Sequence, residues 1–416
     1  MKLSHGLGLL AAGLGSVGLL AFAGMGGLTA CGSSSGGSSG SSSGASGSSS
    51  GTAADLCGSL PTTACLPIPP PPTGASATPL TTSHNYALHQ LFLGDTDRMG
   101  VTSTDAWQQF GYDLDGKITT ATSKDVCTLM AGATKQTQVD GYLNPKAHTG
   151  GGIDNSFGEN IIGLITTLDS TASQTLNSDI LGGSFSLFTY VTGFDDMAGN
   201  TTSATGLKGV LLAGGKYTTA DGGAGTPSWD LTTTWPVLPD PGLITGCQPY
   251  PVGCPANTDP IANAKVTFNN AFQTKGTFVN GTPSPLTLSL TISGHTLSLD
   301  IASAVITFDP SSPGSVTNGT IAGVLNTEQL ITGLKQIAGS ISTTLCTGSG
   351  FQSIATQIEQ TSDIINNGST VSNTAGSACN AISIGLGFNS VEIAKPTAIA
   401  APSPPAPDKC ADAGGD

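Results

Sequence analysis

Two short acidic turns carry residue types that bind a hard cation. In the first turn, Asp95, Asp97 and Gly100 fall on the first, third and sixth positions of an acidic calcium-binding loop. The fifth and last positions of that loop carry Met99 and Ala106, which offer no side-chain oxygen. The first turn therefore matches a calcium loop only in part.

The second turn, Asp113-Leu114-Asp115-Gly116, matches the calcium loop less well, because an aligned Gly116 places Gly111 at the first position and Thr122 at the last. Aspartates also favour ordinary turns in which the carboxylate accepts nearby backbone amides. The pattern favours such solvated turns over a cation site. Calcium remains the only cofactor that the sequence suggests, with these ligands: Asp95, Asp97, Asp113 and Asp115.

Carboxylates also suggest hydrolysis of a glycoside, which needs two carboxyl groups at a fixed separation. The set that can supply them consists of Asp113, Asp115, Asp154 and Glu159. Spacing along the chain does not bring these residues together, and no histidine lies in the context of a nucleophile–base pair. A secreted carbohydrate-active hydrolase is therefore the second function class, behind a non-catalytic binding function.

Charge excludes one class of partner. The net charge is −14, charged residues make up only 10% of the chain, and Arg98 is its one arginine. Proteins that bind nucleic acid neutralise phosphates with clustered lysine and arginine. The sequence therefore excludes a nucleic-acid-binding function, and it leaves a surface glycan or a protein as the candidate ligand.

Nine cysteines indicate the redox compartment. If Cys31 is set aside, eight remain, and an even number in an exported chain is typical of disulfides. The nearest neighbours in the sequence predict the pairs Cys57–Cys65 and Cys247–Cys254. A pair Cys346–Cys379 would bracket a helical segment, and the pair Cys127–Cys410 is then left.

The N-terminus has the layout of an export signal. A short segment with one lysine, Met1–His5, precedes an uncharged run of small and apolar residues that ends at Leu28-Thr29-Ala30-Cys31. This arrangement resembles the type II signal peptide of bacterial lipoproteins, a targeting segment that takes no part in the fold. The resemblance implies cleavage before Cys31, acylation of Cys31 with chains such as palmitate, and stable attachment to a membrane.

The residue that follows the cysteine bears on the final location. Gly32 is not an aspartate. By resemblance to lipoprotein sorting in bacteria with two membranes, this favours the outer membrane. The implied location is extracytoplasmic, on the cell envelope.

Composition divides the chain into four parts. Residues 1–30 form the predicted signal peptide, and residues 31–80 form a linker rich in Gly and Ser and then in Pro. Residues 81–395 form a β-rich globular body. The sequence leaves open a division of this body into two lobes near residue 200. Residues 396–416 are a tail rich in Pro and Ala.

Alternation of apolar residues predicts most strands of the body. The clearest hairpin has Leu286-Leu288-Leu290-Ile292 and Leu297-Leu299-Ile301 on its arms, with a bulge expected near Ser303. We also predict a strand that places Trp229 and Trp235 on one face, with core aromatics favoured over a sugar-stacking platform. Helices are predicted over 85–93, from Phe157 to Leu168, over 330–341 and over 351–367.

These observations predict a mainly β fold with a few helices (α+β), and a sandwich or jelly-roll-like body behind a flexible linker. The predicted protein is a lipid-anchored cell-envelope protein with a non-catalytic role in ligand binding, adhesion or structure. Its first predicted partner is the membrane itself, through the lipid anchor at Cys31.

Overall fold

The structure is a computed structural model. It describes residues 55–56, 65–74, 76–144, 146–219, 221–223, 225–292, 295–341, 346, 349–368, 370–402, 404 and 410. These residues belong to one compact unit that extends from Gly51 to Asp416. The predicted signal peptide, Cys31 and Cys57 lie outside the described residues.

Strands dominate the compact unit. In chain order they are β1 (Asp55–Leu56), β2 (Ser83–Phe92), β3 (Lys117–Ile118), β4 (Ser186–Thr192), β5 (Ala204–Gly214), β6 (Thr267–Thr274), β7 (Thr277–Val279), β8 (Ser284–Ile292), β9 (His295–Ser312), β10 (Ser315–Asn326), β11 (Ile365–Asn366), β12 (Val371–Ser372) and β13 (Ala381–Glu392). The prediction of a mainly β fold with a few helices is confirmed.

Eight antiparallel strands close into a barrel in the order β2, β4, β5, β6, β7, β9, β10 and β13. The 18-residue strand β9 makes closure possible. Its first half pairs with β8, its second half pairs with β7, and its other edge pairs with β10. The predicted sandwich or jelly roll is therefore wrong, because alternation predicts strands but not which edges meet.

Ser303 marks the change of partner along β9. Its φ is 52°, and the register of β9 shifts at this position against both β8 and β10. A bulge of this kind bends a strand and increases its twist. The predicted hairpin and the predicted bulge near Ser303 are both confirmed.

A packed core fills the barrel. Inward side chains from six strands surround a cavity of about 10 Å³, which is too small for a ligand. Aromatic side chains meet in the interior: the Phe278 and Phe308 rings stack with their centroids 4.5 Å apart, and Tyr86 contacts Phe308 edge-to-face with centroids 5.7 Å apart. A functional site must therefore lie at an end or on the outside of the barrel.

Helices cover part of the outside. Among the described residues they are α1 (Ile162–Leu168), α2 (Ala172–Leu181), α3 (Thr327–Ile341) and α4 (Ser349–Glu359), and a π-helical turn, Phe157–Ile161, leads into α1. Helix α2 is fastened to β2 by Asn177, which donates to Leu91 O and accepts from Leu91 N. None of the described helices has both the length and the apolar character that crossing a membrane requires.

Three secondary-structure predictions are wrong. Strand β2, Ser83–Phe92, stands where the sequence predicts a helix over 85–93. A bulge at His89 and burial on both faces remove the alternation typical of a strand. The segment from Trp229 to Trp235 is irregular, and Trp229 has a φ of 55°. Helix α4 ends at Glu359 and does not extend to residue 367; Ile365 instead pairs with Ser372 in the short hairpin of β11 and β12.

Three disulfides are described, and two of them correct the predicted pairing. The predicted bond Cys247–Cys254 is confirmed. The remaining pairs are Cys127–Cys379 and Cys346–Cys410 in place of Cys346–Cys379 and Cys127–Cys410. Pairing depends on which segments the barrel brings together, which distance along the chain does not reveal.

Candidate functional site

Three aspartates from two distant segments converge outside the barrel. Asp113 and Asp115 belong to the turn before β3, and Asp154 lies just before the π-helical turn. One carboxylate oxygen from each lies within 4.8 Å of the others. We call these three residues the acidic cluster.

Local sequence shapes the turn that carries the first two aspartates. Asp113 Oδ1 accepts from Gly116 N at 2.7 Å and from Lys117 N at 3.1 Å, and Asp115 Oδ1 accepts from Lys117 N at 2.8 Å. Gly116 has a φ of 81°, a conformation that glycine adopts without strain. The turn thus holds one oxygen of each carboxylate and leaves the other for a ligand.

A network around Asn155 holds the segment that carries Asp154. The Asn155 amide nitrogen donates to the carbonyls of Trp107, Phe110 and Gly385, each at 3.0 Å. Strand β13 approaches closely here, because a Cβ at Gly385 would collide with the Phe110 carbonyl. Asp154 Oδ2 then accepts from Leu114 N at 2.7 Å, which joins the two segments of the acidic cluster.

Two further buried aspartates lie behind the acidic cluster. Asp140 Oδ2 accepts from Thr119 N at 2.5 Å. Asp363 accepts from Ser383 N at 2.9 Å and from the Ser383 hydroxyl at 2.5 Å. The Cys127–Cys379 bond lies beside them, since Gln138, two residues before Asp140, donates to Cys127 O at 3.1 Å.

Burial disfavours the charged form of these carboxyls. It raises the pKa of Asp113 to about 7, with a further contribution from the charge of Asp115. Burial also raises the pKa of Asp115, and it raises those of Asp140 and Asp154 well above their usual range, with the neighbouring carboxylates adding to the effect. Burial raises the pKa of Asp363 to about 7.

Little positive charge offsets these carboxyls. The Lys117 ammonium donates to Asp125 O at 2.7 Å and to Asn373 O, and it lies 3.9 Å from the Asp125 carboxylate. Arg98 lies over the Phe110 ring and donates to Gly319 O, Gln109 O and Thr320 Oγ1. Buried carboxyls without compensation either keep a proton or bind a cation.

The other predicted site residues lie apart from the acidic cluster. Asp97 Oδ1 accepts from Met99 N and Val101 N, both at 2.9 Å, as in an ordinary turn. Asp95 and Asp97 are in neither group of described residues that has metal-ligand spacing. Glu159 is also outside both groups; burial first and the charge of Asp363 second raise its pKa to about 7.

Sequence reasoning missed two aspartates and one whole group of side chains. Asp363 follows a helix with no motif around it, and Asp140 carries only an adjacent glycine as a turn signal. The second metal-spaced group, formed by His84, Asp196 and Glu392, joins residues from β2, from the loop between β4 and β5, and from β13. Only the closure of the barrel brings that group together.

Comparisons with models of protein families, with curated proteins and with solved structures return no significant match for this chain. The function must therefore be argued from the chemistry of the chain itself.

Proposed function

We propose that the protein is a lipid-anchored protein of the cell envelope that binds a ligand or partner without catalysis. Anchoring through Cys31 is supported by the lipoprotein-like motif at residues 28–31. The observation that carries the extracytoplasmic location is the set of disulfides, since such bonds form and persist in oxidising compartments. The outer membrane is the proposed site of attachment, on the basis of Gly32.

We expect a Cys31→Ala variant to lose its acyl chains and its membrane attachment. Cells that carry the protein are labelled with radioactive palmitate, and the membrane and soluble fractions are compared. A Cys57→Ala variant serves as the control, because that cysteine follows the signal and should not be acylated. Equal labelling of the Cys31→Ala variant would contradict the anchor.

We further propose that the acidic cluster holds a calcium ion in the folded protein. Calcium takes six to eight oxygen ligands. Asp113, Asp115 and Asp154 each offer one carboxylate oxygen, and these oxygens lie within 4.8 Å of one another. The two buried aspartates behind the cluster add negative potential at the same place. Calcium at Asp95 and Asp97 remains a separate prediction.

We expect one equivalent of calcium to bind at the acidic cluster of the purified protein after treatment with a chelator. Asp115→Asn should weaken this binding at least about tenfold, since a ligand matters at least as much as the outer-shell groups that change metal affinity 10–100-fold. Isothermal titration calorimetry measures the affinity. Asp97→Asn is the matched control, and its binding at the acidic cluster should not change. A protein that takes up no calcium would refute the proposed ion.

The second candidate function, a carbohydrate-active hydrolase, draws on the convergence of Asp113 and Asp154. Two carboxyls whose environments raise their pKa values fit acid–base catalysis as well as cation binding. Turnover of a glycoside substrate that Asp154→Asn abolishes in folded protein would favour the hydrolase over the binding function.

A further inference from the structure

A second group of side chains lies at the end of the barrel where β2 begins and where β4 and β13 end. It consists of His84, Asp196 and Glu392, with one ligand atom of each within 4.8 Å of the others. His84 Nδ1 lies 2.9 Å from Glu392 Oε1 and 3.8 Å from Asp196 Oδ2. The three side chains are 12%, 14% and 23% exposed for His84, Glu392 and Asp196, so they are mostly withdrawn from water but still reachable.

The backbone around this group is held in place. His84 pairs with Val191 and Glu392 pairs with Tyr86, so both residues belong to paired strands of the barrel. The loop that carries Asp196 is fastened by Gln273, which accepts from Asp195 N at 3.1 Å and donates to Asp195 O at 2.9 Å. The group is therefore organised before any ligand arrives.

Charge at the group is not balanced. Two carboxylates face one imidazole, so the net charge stays negative even when His84 is protonated. Among the described residues, the ion pairs of Asp196 and Glu392 involve only His84. A divalent cation would neutralise both carboxylates and leave the imidazole neutral, which is the form that binds metals.

A buried hydroxyl without a partner lies next to the group. Tyr86 is 1% exposed, and its OH has no hydrogen-bond partner among the described residues. Its ring stacks on the His84 ring with centroids 5.8 Å apart, and its hydroxyl lies within electrostatic range of Asp196 and Glu392. An unpaired buried hydroxyl is costly, and a water bound to a metal would supply the missing partner.

We propose that His84 Nδ1, Asp196 and Glu392 bind a divalent transition-metal ion of the zinc type, with a water molecule as the fourth ligand beside the Tyr86 hydroxyl. Ligands about 2.0 Å from a tetrahedral zinc ion are separated by about 3.3 Å. The observed separations of 2.9 and 3.8 Å lie on either side of that value, so small side-chain movements complete the site. One imidazole and two carboxylates suit zinc better than calcium, which prefers oxygen ligands alone.

The test is a zinc titration of the purified, metal-free protein in the presence of excess calcium, which occupies sites made of oxygen alone. We expect one equivalent of zinc to bind, and a tetrahedral Co²⁺ spectrum when cobalt replaces zinc. His84→Ala and Asp196→Asn should each weaken zinc binding at least about 100-fold, since even outer-shell changes cost 10–100-fold.

Two matched variants separate this site from the others. His89→Gln changes a histidine on the same strand that faces Trp229, and Asp115→Asn changes the acidic cluster. Both should keep the zinc affinity of the unmodified protein. Near-ultraviolet circular dichroism checks that each variant is folded, and Asp196→Asn, the most exposed of the three ligands, is the variant least affected by folding defects.

Three results would overturn the proposal. One is an unmodified protein that binds no zinc at micromolar concentrations. Another is a folded Asp196→Asn or His84→Ala variant that binds zinc as tightly as the unmodified protein does. Zinc binding that Asp115→Asn abolishes would assign the ion to the acidic cluster, and it would also refute the site at the barrel end.

Discussion

Replacement of Cys127 and Cys379 together by alanine is expected to lower the free energy of unfolding by about 4–5 kcal/mol. The bond joins positions 252 residues apart, so it removes more chain entropy from the unfolded state than a local bond does. Chemical unfolding in urea measures the loss. This is the largest single effect on stability that we expect for the described bonds.

The bond Cys247–Cys254 offers a matched control within the same chain. It closes a segment of only seven residues, so its replacement by alanine should cost about 2 kcal/mol. A cost as large as that of the Cys127–Cys379 pair would mean that loop closure is not the reason for the difference.

The Cys127–Cys379 bond also supports the acidic cluster. Cys127 N donates to Asn373 Oδ1 at 2.6 Å, and Asn373 O accepts from the Lys117 ammonium. The double alanine variant should therefore also bind calcium more weakly than the unmodified protein. Calorimetry under conditions in which the variant is still folded separates this effect from the loss of stability.

The second large effect concerns pH. In the presence of a chelator, the stability of the protein should fall as the pH rises from about 4 to about 7. Asp113 and Asp363 have a pKa of about 7 in the folded protein, against 3.8 for an ordinary aspartate. In this range the folded state holds more protons than the unfolded state, so each such group lowers stability by about 1.4 kcal/mol per pH unit.

The sign follows from the raised pKa. Below pH 4 both states are protonated at these carboxyls, and their contribution to stability is complete. It is lost as the pH rises through the folded-state pKa of about 7. Calcium at the acidic cluster should reverse the loss above pH 7, by about 2.7 kcal/mol at a calcium concentration 100 times the dissociation constant.

Thermal melts from pH 4 to pH 8, with calcium and with chelator, test this expectation. Asp113→Asn should flatten the profile measured with chelator, because it removes one of the groups that ionise. Asp221→Asn is the control, since Asp221 is exposed and its pKa is lowered by the Thr219 hydroxyl. A profile that rises between pH 4 and pH 7 with chelator would contradict the assigned burial of these carboxyls.

Local pattern was sufficient for the elements that alternate or repeat regularly. The hairpin of β8 and β9, the bulge at Ser303 and the last barrel strand all follow from a two-residue period, because large apolar residues fill one face of each strand and small or polar residues the other. The same rule failed for β2, which is buried on both faces and carries a bulge at His89. Its periodicity therefore resembled a helix.

For the acidic cluster too, the sequence shows the local turn but not the meeting of distant segments. The turn Asp113–Gly116 is visible in the sequence, because its hydrogen bonds span only a few residues. Its meeting with Asp154 depends on the Asn155 network to Phe110 and Gly385. These contacts join positions 45 and 230 residues apart, and nothing in the local pattern predicts them.

By itself, the sequence determined that the chain is β-rich, acidic and bonded through cysteines, because these properties depend on composition and on short periodicity. Only the tertiary structure decided that the strands close into a barrel, that Cys127 pairs with Cys379, and that His84 meets Glu392. The physical reason is that edge pairing and side-chain convergence depend on twist, bulges and packing across the whole chain.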